Sequence, residues 1–163
     1  MPVVAIEHVG RTAVPGLAAK PIIDCDIVVT ADRVASAAEV LAALGFQPEG
    51  ELGIPQRWAF KEPSRLRGTH TYVVVEGSLA LRNHRGLHDT LLADVGLRDR
   101  YNAEKKRIAA SAGSIAEYSE GKSAVIEQIL AAAGLDADER RVIDVAHSPA
   151  LRVTPTARAS TDL

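Results

Sequence analysis

The stretch Pro21-Ile22-Ile23-Asp24-Cys25-Asp26-Ile27-Val28-Val29 decides the fold of this 163-residue chain. It is a short apolar run, rich in isoleucine and valine and opened by proline, which is typical of a buried β-strand. Because strand side chains alternate between two faces, Asp24 and Asp26 are predicted to point to the same face. Two carboxylates at this spacing are either solvated at the rim of a sheet or held together by a divalent cation, which removes their repulsion and desolvation cost. The second alternative predicts a Mg²⁺ or Mn²⁺ site in which Asp24 and Asp26 are the metal ligands and the catalytic pair.

A glycine turn lies upstream of this strand, in His8-Val9-Gly10-Arg11. The backbone N–H groups of such a turn can bind a phosphate. A metal-binding aspartate pair beside a phosphate-binding turn is the arrangement used in phosphoryl and nucleotidyl transfer. The pattern therefore favours chemistry on a nucleotide.

Strands are predicted in the first half of the chain and helices in the second. The predicted strands cover residues 3–9, 21–29, 57–62 and 69–75, and a helix over 32–44 ends before Gly45. In the second half we predict a helix capped by Asn83, a break at Gly96 and a helix over 98–110. A further helix begins with the capping box at Ser114, is interrupted at Gly121 and resumes over 123–133, and a short helix follows Asp136.

The predicted fold class is α+β: a small mixed sheet with flanking helices and a helical C-terminal half. Residues 1–147 are predicted to form one domain. Residues 148–163 are rich in proline, serine, threonine and alanine without periodicity, so we predict a disordered tail.

Composition excludes several classes of protein. The net charge is −2 with 25% charged residues, so there is no strong signal for nucleic-acid binding. No apolar run approaches the ~18 residues needed to cross a membrane, and no signal peptide opens the chain. The expected location is the cytoplasm, and the oligomeric state is not indicated.

The residues from Ile6 to Ile27 closely resemble the signature of the GrpB family. That family is similar to the nucleotidyltransferase superfamily, whose pattern is a Gly-Ser turn followed by an Asp-x-Asp strand. The resemblance covers about residues 3 to 133. Further landmarks follow in the family's order: Leu44-Gly45-Phe46, Gly53-Ile54-Pro55-Gln56-Arg57, Thr69-His70-Thr71-Tyr72-Val73-Val74, Leu81-Arg82-Asn83-His84, Tyr101-Asn102-Ala103-Glu104-Lys105 and Tyr118-Ser119-Glu120-Gly121-Lys122.

The resemblance implies a nucleotidyltransferase-like domain whose partners are a nucleotide and an unknown acceptor. If it is catalytic, it transfers a nucleoside monophosphate from an NTP to that acceptor, using Mg²⁺ or Mn²⁺. The alternatives are a non-catalytic nucleotide- or metabolite-binding domain and a partner-binding scaffold. The residues implied in substrate or phosphate binding are Gly10, Arg11, Lys20, Arg57, His70, Arg82 and Lys105, with His84 and Lys122 as further members of a phosphate-binding wall.

Two departures from the superfamily pattern concern the site. Arg11 stands where serine is usual, and it could either grip a phosphate through its planar guanidinium or block the pocket. A nucleotidyltransferase site also normally takes a third carboxylate from a neighbouring strand. The predicted strand over 69–75 has none, and only His70 or Glu76 could replace it.

Overall fold

The structure is a computed structural model that describes the backbone of residues 3–111 and 115–147 and the side chains of 3–110 and 124–147. The predicted tail, 148–163, lies outside the described residues, so its disorder stays a prediction.

Five strands form one mixed sheet in the order β1-β2-β5-β4-β3. They are β1 (Ala5–Val9), β2 (Ile23–Val29), β3 (Gln47–Gly50), β4 (Arg57–Lys61) and β5 (Thr69–Val75). The central strands β2 and β5 are parallel, and each remaining pair is antiparallel. The α+β prediction is confirmed. Strand β3 was not predicted, because Gln47-Pro48-Glu49-Gly50 is polar and contains a proline that only an edge strand tolerates.

One face of the sheet is covered by α1 (Val34–Ala43), which lies in the crossover between β2 and β5. Its buried residues Ala37 and Leu41 pack against Val29, Phe60 and Val73 of the sheet. This side is a closed apolar core made mainly of valine, leucine and phenylalanine.

The opposite face is covered by the helical half of the chain. Its helices are α2 (Leu79–Ala93), α3 (Val95–Ser111), α4 (Ile115–Ala132) and α5 (Ala137–His147). Ala80 and Leu81 of α2 pack against Val28 and Val74, while Ile54 fills the same cluster from the loop before β4. None of the described helices is long and apolar enough to cross a membrane.

Three details of the helical half differ from the sequence prediction. The first helix begins at Leu79, and the cap is Ser78, whose hydroxyl accepts a hydrogen bond from the Leu81 N–H at 3.2 Å. Asn83 lies inside that helix because burial of Ala80 and Leu81 extends it toward the sheet. The break falls at Asp94, whose carboxylate caps the Leu97 N–H, so Gly96 lies within the next helix.

The third difference is at Gly121, where α4 continues without interruption. A glycine inside a helix costs only about 1 kcal/mol relative to alanine. Farther along the same helix, Ile129 and Leu130 have almost no exposed surface, and their burial offsets that cost.

Candidate active site

A pocket of about 320 Å³ lies between the sheet and the helical half. The sheet contributes the end of β1, the start of β2, the first half of β5 and the start of β4, and all four helices of the second half close the other side. Seven of the residues predicted from sequence line this pocket: Gly10, Arg11, Lys20, Asp24, Arg57, His70 and His84.

The two aspartates lie on the face of β2 that carries the pocket. The pairing of β2 with β5 runs in continuous register, with Asp24 opposite His70 and Asp26 opposite Tyr72. Asp24 lines the pocket, whereas Asp26 has no exposed surface. The pair therefore comprises one accessible carboxylate and one buried beneath the helices.

Each aspartate accepts a hydrogen bond from the Nδ1 of a histidine. Nδ1 of His70 lies 2.9 Å from Oδ1 of Asp24, and Nδ1 of His84 lies 2.7 Å from Oδ2 of Asp26. This leaves one further oxygen on each carboxylate. Oδ1 of Asp26 is buried and has no hydrogen-bond partner among the described residues.

The other oxygen of Asp24 faces the glycine turn. A Cβ at Gly10 would lie 2.2 Å from Oδ2 of Asp24, and Gly10 has φ of 74°, a conformation that disfavours side chains. Only glycine allows this close approach. The Gly10 turn therefore packs directly against Oδ2 of Asp24, the carboxylate oxygen that His70 leaves available to a ligand.

Within the described residues, no three histidine, cysteine, aspartate or glutamate side chains are grouped to hold a metal ion. The aspartate pair offers one oxygen from each carboxylate. Mg²⁺ is commonly bound by one or two carboxylates, with substrate phosphates and water completing its shell. The residues thus fit an ion shared with a bound phosphate, and the unpartnered buried oxygen of Asp26 is the observation that favours it.

A third carboxylate on a neighbouring strand lies on β1, whereas the sequence prediction considered only β5 and its end. Glu7 is the cross-strand partner of Asp26, so both side chains lie on the same face. Two hydrogen bonds from Arg85 of α2 hold Glu7, one of them from Nε at 3.0 Å, and they keep the pKa of Glu7 below its usual value. Glu76 follows β5 at the end opposite to His70. No local sequence pattern marks Glu7, because its place beside Asp26 depends on the register between β1 and β2.

Arg57 and Tyr72 form the inner wall of the pocket. The guanidinium carbon of Arg57 lies 4.9 Å from the centroid of the Tyr72 ring, and that ring also packs against His84. Arg57 is 7% exposed, its Nε has no hydrogen-bond partner, and no ion pair to it is found among the described residues. Burial lowers the pKa of Arg57 and raises that of Tyr72.

Three cations form what we call the basic rim: Arg11 and Lys20, which line the pocket, and Lys105 of α3, which contacts the segment just before Lys20. Burial and then the positive charges of Arg11 and Lys20 lower the pKa of Lys105. Lys105 Nζ donates to the carbonyl of Ala18, and its neighbour on α3, Asn102, donates to the Gly16 carbonyl and accepts from the Ala18 N–H. Helix α3 therefore fixes the segment that carries this rim. Asn102 had been part of a family landmark without an assigned role.

Among the predicted residues whose side chains are described, Asp26, which is fully buried, Arg82 and Lys105 do not line the pocket. Arg82 pairs with Glu139 of α5 and does not line the pocket. The side chain of Lys122 lies outside the described residues. His84, which was predicted as a member of the phosphate-binding wall, lines the pocket and is also the partner of Asp26.

The chain belongs to the GrpB family, whose profile, described as GrpB protein, matches residues 1–132. It is 36% identical over 122 residues to the UPF0157 protein YqkA of Bacillus subtilis, covering 74% of this chain and 36% of that protein, so it spans little more than a third of that relative. It is 33% identical to the UPF0157 protein SCO7215 of Streptomyces coelicolor over 80% of this chain and 69% of that protein. The crystal structure of the conserved protein GrpB from Enterococcus faecalis superposes with a TM-score of 0.66 at 28% identity, covering 80% of each chain.

Proposed function

We propose that this protein is a metal-dependent nucleotidyltransferase that transfers a nucleoside monophosphate from an NTP to an acceptor. The observation that carries the proposal is the pair formed by Asp24 and Asp26: same-face carboxylates, each with one oxygen held by a histidine and one oxygen left over, beside the Gly10 turn. An aspartate pair beside a glycine turn and a set of cations is suited to nucleotidyl transfer, because it can hold a metal ion and stabilise charge on phosphate oxygens.

In this proposal the leftover oxygens of Asp24 and Asp26 would hold one Mg²⁺ or Mn²⁺, and the ion when bound supplies Lewis-acid stabilisation of charge on phosphate oxygens. His70 and His84 orient the two carboxylates through their Nδ1–H groups. The backbone at Gly10 and the basic rim bind the β- and γ-phosphates, which leave as pyrophosphate.

The proposed reaction is a single displacement at the α-phosphorus of the NTP. An acceptor oxygen forms a new bond to the α-phosphorus of the NTP, and the bond from that phosphorus to the bridging oxygen of the β-phosphate breaks. Pyrophosphate departs with the bonding electrons, and the acceptor's proton passes to solvent. The basic rim stabilises the negative charge that accumulates on the leaving group.

A second candidate is a nucleotide- or metabolite-binding domain without turnover. One observation favours it: the third carboxylate of this face, Glu7, is engaged by Arg85 and does not line the pocket. In that case the pocket binds the phosphates but lacks the charge to support a second metal ion.

Binding and turnover of the four NTPs, measured separately with Mg²⁺ and with Mn²⁺, distinguish these candidates. Calorimetry reports binding, and release of pyrophosphate in the presence of a metabolite extract as acceptor source reports turnover. Binding with turnover that is lost in Asp24→Asn supports the transferase. Binding without turnover supports the second candidate, and neither binding nor turnover leaves the partner-binding scaffold.

A further inference from the structure

A buried guanidinium without an anionic partner marks the inner end of the pocket. Arg57 is 7% exposed, and among the described residues its guanidinium contacts the face of Tyr72 and forms no ion pair. The Asp26 carboxylate, which is held by His84, acts on Arg57 only through longer-range attraction. Burying an unpaired charge is expensive, and arginine is almost never fully buried unless paired. Arg57 nevertheless lines the pocket, so a ligand can reach it there.

The backbone before Arg57 is held in an unfavourable conformation. Gln56 has φ of 62°, in the left-handed region that a non-glycine residue rarely adopts. Its N–H donates to the Glu51 carboxylate at 2.7 Å, and its carbonyl accepts from the Val75 N–H at 3.1 Å. Two residues earlier, Ile54 is completely buried in the core. These contacts fix the start of β4 and thereby direct Arg57 toward the pocket.

The sheet places Arg57 and the basic rim on opposite sides of the aspartates. In the order β1-β2-β5-β4, the Gly10 turn follows β1, the aspartates are on β2, and Arg57 is on β4. Strands β1 and β4 are separated by three strand spacings of ~4.8 Å, about 14 Å in all. The pocket thus has two cationic ends with the carboxylates between them.

We infer that Arg57 forms an oxyanion subsite for the acceptor, which is therefore a small molecule bearing a phosphate or a carboxylate. The inference rests on the proposed function: in nucleotidyl transfer the attacking and leaving oxygens lie roughly in line on opposite sides of the reacting phosphorus. With pyrophosphate leaving toward the basic rim, the acceptor enters from the side of Arg57. The planar guanidinium offers paired donors that match a carboxylate or phosphate, and a bound oxyanion supplies the partner that the buried charge lacks.

The test titrates inorganic phosphate and, separately, succinate into four proteins by calorimetry: the native chain, Arg57→Gln, the double variant Arg11→Ala with Lys20→Ala, and Arg33→Gln as a control. Arg33 is exposed, is paired with Asp32 and does not line the pocket. Arg57→Gln should weaken binding of one of the two anions about ten- to a hundred-fold, as expected for hydrogen bonds to a charged group, whereas the Arg33→Gln control should retain it. Phosphate can also bind at the basic rim, and the double variant removes that contribution, so the anion binding that the double variant retains belongs to Arg57. Binding of phosphate alone indicates a phosphorylated acceptor, and binding of succinate alone a carboxylate.

Titration of ATP with Mg²⁺ into the same proteins separates this subsite from the nucleotide site. Arg57→Gln should bind ATP with an affinity within about threefold of that of the native chain, because in this inference the Arg57 guanidinium contacts the acceptor and not the nucleotide. Equal loss of ATP and anion binding in Arg57→Gln, or unchanged anion binding, would overturn the inference. If the native chain binds no nucleotide while anion binding still depends on Arg57, the proposed function fails and the oxyanion subsite stands. Should Arg57→Gln not fold, Arg57→Lys keeps the charge, loses the planar fork and should show the same selective loss.

Discussion

His84 holds Asp26: Nδ1 of the imidazole lies 2.7 Å from Oδ2 of a carboxylate that has no exposed surface. Replacing His84 by leucine leaves that carboxylate buried without its donor, and breaking a buried pair from one side costs about 3–5 kcal/mol. Asp26→Asn should cost less, because it keeps an acceptor for His84 and removes a buried charge. Urea denaturation measures both free energies of unfolding.

The control for this pair lies on the same helix. His88 and Asp89 are 2.8 Å apart, and the Asp89 side chain is 73% exposed. An exposed pair contributes about 0–1 kcal/mol, so His88→Leu should be close to neutral. The interpretation of the Asp26–His84 pair is wrong if His84→Leu and His88→Leu cost the same.

Gly10→Ala should destabilise the protein and weaken ligand binding together, since its Cβ would lie 2.2 Å from Oδ2 of Asp24. Gly77 is the matched control: it has the same φ of 74°, and nothing lies within 4 Å of its Cβ position. Both substitutions carry the left-handed strain of about 1–2 kcal/mol, but only Gly10→Ala displaces the aspartate. Thermal unfolding and ATP titration of the two variants measure the losses of stability and of nucleotide binding. Equal losses in Gly10→Ala and Gly77→Ala would show that the contact with Asp24 is not the cause.

The proposed metal site predicts a rise in the thermal midpoint with millimolar Mg²⁺ or Mn²⁺, because an ion that binds only the folded state stabilises it by mass action. The double variant Asp24→Asn with Asp26→Asn should lose the rise. Asp89→Asn removes an exposed carboxylate outside the pocket and should retain it. Equal shifts in all three proteins would place the ion elsewhere.

Arg11 lines the mouth of the pocket, where the superfamily pattern has serine. If its guanidinium binds a phosphate, Arg11→Ala should weaken nucleotide binding by about 1.5–3 kcal/mol. Arg11→Ser would instead improve binding if the side chain blocked the pocket. The position of Arg11 beside Lys20 and Lys105 favours the first outcome, since clustered cations at a pocket mouth attract an anion. Calorimetric titration of ATP and GTP into both variants decides between them.

The sequence predicts those features of the fold and site that depend on neighbouring residues, and it misses those that depend on contacts between residues distant in the chain. The alternation on β2 was enough to place Asp24 and Asp26 on one face, and the apolar runs were enough for β2 and β5. Glu7 was missed as a third carboxylate because its position depends on the register between β1 and β2, which no local pattern encodes.

The histidine partners of the aspartates show the same limit. His70 was a candidate because it lies on a predicted strand, and its contact with Asp24 follows from the parallel pairing of neighbouring strands. His84 reaches Asp26 from a helix 58 residues farther along the chain, so this contact depends on how α2 packs against the sheet. Arg82, two residues earlier on that helix, pairs with Glu139 of α5, and this contact likewise depends on how the helices pack and not on a local sequence pattern.

The ion pair between Glu7 and Arg85 predicts a specific pH dependence of stability. The hydrogen bond from Arg85 lowers the pKa of Glu7, so the pair stabilises the folded state above the usual glutamate pKa, and this contribution is lost as the pH falls through the lowered value. Because Arg85 is 47% exposed, the contribution should be only about 0.5–1 kcal/mol at pH 7. Arg85→Met should therefore be less stable than the native chain at pH 7 and nearly equal to it at pH 3. Arg141→Met, whose partner Asp138 is 86% exposed, should show a smaller difference at both pH values. Urea midpoints of the three proteins across this range test the pair, and a difference for Arg85→Met that does not shrink in acid would show that Arg85 acts through packing rather than through its charge.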